Sequence, residues 1–150
     1  VGTSVAIGIK RVELAAPGTD HPIIANIIDK VIEPGNGAGD LKNVGRSYYN
    51  LGVGSMTLAV EGARLALEEF GAPLTGEKLK QGLEMVKDFD AQGLIPPFTF
   101  TAEDHQGGGN TRISEWDGES WVPKTEWTSS YQDIVWEEIK KASDAFRKGG

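Results

Sequence analysis

The chain has 150 residues with 39% hydrophobic residues, enough for one core of ordinary size and no second independent one. Its formal net charge of -7 speaks against a nucleic-acid partner, since phosphate binding is driven by clustered Lys and Arg, and no basic patch occurs. With no Cys there is no disulfide and no thiolate chemistry.

The opening VGTSVAIGIK lacks the charged n-region of a signal peptide and is too short and glycine-interrupted to cross a bilayer. Val1, Thr3, Val5, Ile7 and Ile9 alternate with small residues as in a strand. Pro17-Gly18-Thr19-Asp20 reads as a turn, with Asp20 capping a helix. In that helix Ile23, Ile27 and Val31, with Ile24, Ile28 and Ile32 beside them, form an apolar stripe that must pack on something. Pro34-Gly35 ends it, and residues 35–40 read as a flexible connection. Ser47 is the expected N-cap of a long helix to Phe70, stopped by Gly71. Gly52, Gly54 and Gly62 cost that helix about 1 kcal/mol each in propensity, a loss that close packing would have to offset. Thr75 caps a shorter helix carrying Leu79, Leu83 and Val86, ending near Asp88.

After Pro96-Pro97 the pattern changes, and Phe98 to Thr101 alternates as a strand. Two β-rich runs, 111–116 and 120–127, flank Asp117-Gly118, a type I′ turn signal. Ser130 with Asp133 loosely resembles a capping box for a C-terminal amphipathic helix bearing Tyr131, Val135, Ile139, Ala142 and Phe146.

Chemical motifs are sparse. Glu103, Asp104 and His105 are metal-ligand types, but they are adjacent in sequence and the other histidine, His21, stands at a helix start; no metal is expected. Gly107-Gly108-Gly109 leads into a strand instead of a helix, so it is no phosphate cradle. There is no G-x-S-x-G elbow or Ser-His-Asp pattern, and neither an enzyme nor a cofactor is indicated. Glu68-Glu69 and Glu137-Glu138 read as solvated helix faces, and Trp116, Trp121, Trp127 and Trp136 as glue between sheet and helix, with ligand stacking the alternative.

The order of blocks is more informative than any single one. VGRSYYNLGV from Val44, VEGARLA from Val60, PLTGEKLKQGLE from Pro73, GLIPPFTFTAEDHQGGG from Gly93 and RISEWDGESWV from Arg112 together resemble the C-terminal part of the branched-chain amino-acid binding proteins. These are type I periplasmic substrate-binding proteins of ABC importers, similar to the leucine/isoleucine/valine-binding protein. The resemblance implies an α/β fold of two Rossmann-like lobes joined by crossing strands, closing on a solute. Residues 1–97 would be a first-lobe segment, and 98–150 a crossing strand, a terminal β-hairpin and a C-terminal helix. It implies a non-catalytic, periplasmic or otherwise extracytoplasmic receptor that captures an amino acid or related small carboxylate or amide for an ABC permease. A ligand-sensing regulatory domain of the same fold is the alternative. Family members are longer, so the N-terminal part of a parent chain is an expected partner, and homo-oligomerisation of the fragment is a further expectation. The implied ligand-binding residues are Tyr48, Tyr49 and Asn50, where an aromatic residue near the hinge either lines the side-chain pocket or simply packs.

Overall fold

A computed structural model describes residues 6–149. Strand β1 (Lys10–Glu13) is followed by helix α1 (Pro22–Ile27), a π-helical turn (Ile28–Ile32) and a 3-10 turn (Leu41–Asn43). Then come the long helix α2 (Ser47–Phe70), helix α3 (Gly76–Leu83), strands β2 (Arg112–Trp116) and β3 (Trp121–Pro123), and helix α4 (Gln132–Arg147). The three strands form one antiparallel sheet in chain order, pairing Glu13 with Arg112 and Trp116 with Trp121. The first and last parts of the chain therefore meet in one sheet. The mixed α/β class expected from the sequence is the class observed.

The core lies where α1 and the first half of α2 meet residues 89–98. Ala15, Ile24, Ala91, Leu94 and Ile95 are buried there, with Ile23, Ile28, Tyr49, Leu51 and Val53 packed around them. Two glycines of α2 serve this packing. A Cβ at Gly54 would collide with Ile95, and one at Gly62 would stand 2.5 Å from Leu83 Cδ2. A Cβ at Gly82 of α3 would meet the Gly62 carbonyl oxygen and lie 2.7 Å from Ala66 Cβ, so α2 and α3 touch backbone to backbone. Close approach offsets the poor helix propensity of these residues. Gly52 differs, having nothing within 4 Å of a built Cβ among the described residues.

Several boundaries differ from expectation. Val1, Thr3 and Val5 lie outside the described residues. Ile7 and Ile9 are exposed and precede the strand, because Gly8 turns at φ 87°; the described residues before Lys10 bond β2 through Gly8 N to Trp116 O and Trp116 N to Ile9 O. His21, not Asp20, is the N-cap of α1, since Pro22 fits the first helical position with its fixed φ and missing N–H. Arg46, not Ser47, caps α2, and Gly71 stops it with φ 67°. Thr75 does cap α3, its hydroxyl accepting from Lys78 N, but α3 ends at Leu83.

The run Phe98–Thr101 makes a single bridge, Phe98 to Phe89, before Thr101 N bonds Asp104 O and turns the chain back. The β2–β3 connection is not a two-residue type I′ turn. It has four residues, 117–120, because Asp117 Oδ1 accepts from both Glu119 N and Ser120 N, with Gly118 at φ 114°. Strand β3 stops at Pro123, which has no N–H for the ladder, and the register has slipped by two residues where Thr111 pairs with Thr128. Tyr131, at φ 59°, is the N-cap of α4 and makes no side-chain cap bond, so Ser130 does not cap.

Candidate functional site

The three residues implied by the resemblance share the first turn of α2 and face different ways. Asn50 is fully buried, and its Nδ2 donates to Ala16 O at 2.8 Å and Gly18 O at 3.0 Å. It ties the start of α2 to the loop after β1. Its Oδ1 is buried with no partner among the described residues. Tyr49 is half-buried against the core cluster. Tyr48 is 89% exposed.

Tyr48 stands between two concavities. On one side is a cleft of about 180 Å³ between β1 and α2, lined by Arg11, Glu13, Leu14, Ser47 and Leu51. On the other is a broad groove of about 690 Å³ with an almost wholly apolar lining that includes Ile23, Ile27, Tyr49, Gly52 and Met56. The groove follows the stripe Tyr48, Gly52, Met56, Val60, and the missing side chain at Gly52 forms its floor. Aromatic faces and small residues in a concave wall suit the apolar part of a solute.

The polar end of the small cleft belongs to a network that sequence reasoning missed. The Glu13 carboxylate, 1% exposed, accepts from Arg11 Nη2 at 2.7 Å and from Arg112 Nε at 2.7 Å. The Arg11 guanidinium lies 4.2 Å from the Trp121 ring centroid and that of Arg112 4.5 Å from Trp127. A buried carboxylate is thus held by two arginines, each backed by an indole ring. Its members span more than 100 positions, so only the alternation of Arg112, Ser114 and Trp116 on one strand face hinted at it. Ser114 Oγ and Trp116 Nε1 on that face are buried without partners among the described residues. Trp116 and Trp121 also pack together, with centroids 5.5 Å apart.

The metal-type residues are not brought together. Asp104 Oδ1 accepts from Gln106 N at 2.8 Å and organises a turn. His105 Nε2 is 2.8 Å from Glu84 Oε1, and His21 Nε2 is 3.1 Å from Pro17 O. Gly107, Gly108 and Gly109 all have positive φ, and a Cβ at Gly107 would collide with Phe98. No group of three potential metal ligands occurs among the described residues. No described helix is long and apolar enough to cross a membrane.

The chain resembles two solved structures. One is an ABC transporter permease from the Pseudomonas fluorescens group, 32% identical, with a TM-score of 0.83 over 95% of this chain and 37% of that one. The other is a branched-chain amino acid ABC transporter from Thermus thermophilus with bound valine, 22% identical, with a TM-score of 0.70 over 89% of this chain and 37% of that one. The chain thus has a fold found in ABC transporter proteins, that of the type I periplasmic binding proteins, and spans 37% of each neighbour's length. No protein-family model matches the chain, and no curated protein does.

Proposed function

We propose that the chain is part of the solute-binding component of an ABC importer, capturing an amino acid or a related small carboxylate or amide without chemical change. The observation that carries this reading is the likeness over 95% of the chain, at 32% identity, to an ABC transporter protein. The wall at Tyr48 and Tyr49 fits the reading, offering apolar surface beside the polar groups of Arg11 and Ser47. Asn50 supports that wall from behind by fixing the loop after β1.

In this reading the three-stranded sheet belongs to the connection between lobes, and hinge closure presents the loaded receptor to a membrane permease. The protein works outside the cytoplasm. Its exposed helix faces are covered by the N-terminal part of a longer polypeptide, with self-association where that part is absent. Native mass spectrometry of the chain, alone and within the longer polypeptide, tests the proposal against a panel of amino acids and small aromatic acids. The longer form is expected to retain a solute stoichiometrically, and Tyr49→Ala to lose it with unchanged far-UV circular dichroism. Retention of no solute by either form would overturn the reading.

A further inference from the structure

A third concavity lies further along α2, between α2, α3 and residues 100–105. It has a volume of about 470 Å³ and an apolar floor of Leu58, Leu79, Leu83 and Phe100. Three ionisable side chains stand at its rim. Glu84 Oε1 accepts from Lys80 Nζ and from His105 Nε2, the latter at 2.8 Å. The Glu84 side chain is only 13% exposed, whereas those of Lys80 and His105 are each 59% exposed. Lys80 and then His105 hold the Glu84 carboxyl below the usual carboxylate range, so it is charged at neutral pH. Glu84 Oε2 accepts no hydrogen bond among the described residues, and the Lys80 ammonium, with three donors, has some to spare.

The rim therefore shows an accepting carboxylate oxygen directly beside a donating ammonium, above an apolar bed. A ligand carrying only a negative charge would meet Glu84, and one carrying only a positive charge would meet Lys80. A neutral apolar molecule would fill the bed but cover the rim charges without replacing their hydration, at a desolvation cost. A compact zwitterion avoids all three penalties. The volume falls within the range of small-molecule sites.

We propose that this groove binds a free α-amino acid with an apolar side chain. Its ammonium lies on Glu84, its carboxylate on Lys80, and its side chain on Leu79, Leu83 and Phe100. The site is separate from the wall at Tyr48 and Tyr49 and does not depend on the role given to those residues.

The test is an amide-resolved NMR titration of the whole chain with L-leucine. Its deaminated analogue 4-methylpentanoate and its decarboxylated analogue 3-methylbutylamine are titrated in parallel. Leucine is expected to give saturable shifts at residues 79–84 and 100–105, with each analogue at least about tenfold weaker. Glu84→Gln and, as a more exposed second variant, Lys80→Gln are expected to weaken leucine binding by about tenfold or more while circular dichroism is unchanged. Tyr49→Ala leaves the shifts at 79–84 intact, so failure at the start of α2 would be seen separately at residues 47–53. Absence of saturable shifts at 79–84 and 100–105 would overturn the proposal. So would 4-methylpentanoate binding as tightly as leucine, or undiminished leucine binding in both variants.

Discussion

Two regions of this chain are held together by different physics. From α1 to residue 98 the elements interlock through apolar side chains and through glycines that let backbones touch, as where Gly82 meets the Gly62 carbonyl. From residue 111 onward the sheet is tied by a buried carboxylate between two arginines and their indoles, and α4 buries none of its residues. Ile139, at 38% exposed, and Phe146, at 82%, leave much of the apolar stripe of α4 in solvent. The contrast teaches that amphipathic patterning announces a partner without supplying it: α2 has its partner within the chain on two faces, and α4 has no fully buried residue among those described.

All four tryptophans, at 116, 121, 127 and 136, fall in the second region, so their fluorescence reports on it separately from the far-UV signal of α2. The largest effect is expected at Glu13. Glu13→Ala leaves two arginines facing each other and should cost about 3 kcal/mol, read as a fluorescence transition moved to lower urea. An equal shift of both probes would break the contrast and show one cooperative unit. Gly82→Ala attacks the other region. Its methyl has no room against the Gly62 backbone, and a loss of about 2 kcal/mol is expected, led by circular dichroism.

Asn50→Ala removes the two bonds from α2 to the Ala16 and Gly18 carbonyls and should cost about 1.5 kcal/mol. A neutral result in urea unfolding would mean that apolar packing alone fixes the loop after β1. A smaller effect is expected from pH. The backbone N–H groups of Ser120 and then Glu119 hold the Asp117 carboxyl below its ordinary value. The folded form therefore binds that proton less readily, and the hairpin's contribution is present above the ordinary carboxylate range and lost as pH falls. Asp117→Ala should flatten the acid limb of the fluorescence-monitored stability curve. Smallest of all, Phe146→Ser should change stability by less than about 0.5 kcal/mol, because that ring is 82% exposed.

Local signals served the first region well. The 24 residues of α2, its stop at Gly71 and the Thr75 cap of α3 follow from periodicity and capping chemistry, and Gly54 and Gly62 were legible as contact points. Where tertiary context decides, the reading slipped. Ile7 and Ile9, assigned to a strand, precede one that begins at Lys10 where β2 offers it a partner, and Phe98–Thr101 has strand composition but only one bridge because no second strand runs alongside among the described residues. The turn at 117–120 was placed correctly and typed wrongly, since an Asp side chain replaced the expected backbone geometry. The aromatic pair at the start of α2 was named from the resemblance, and its contact with a solute is part of the proposal. The Glu13 network could not be named, because Glu13 and Arg112 are brought together only by the pairing of β1 with β2.

The account rests on solute capture at the wall formed by Tyr48 and Tyr49, and isothermal titration of the longer polypeptide with L-valine and the other apolar amino acids tests it most directly. One amino acid is expected to bind with simple stoichiometry at that wall, and Tyr49→Ala to weaken it at least about tenfold, while Glu84→Gln leaves that binding intact. Binding unaffected by Tyr49→Ala, or no heat from any solute in the panel, would contradict it.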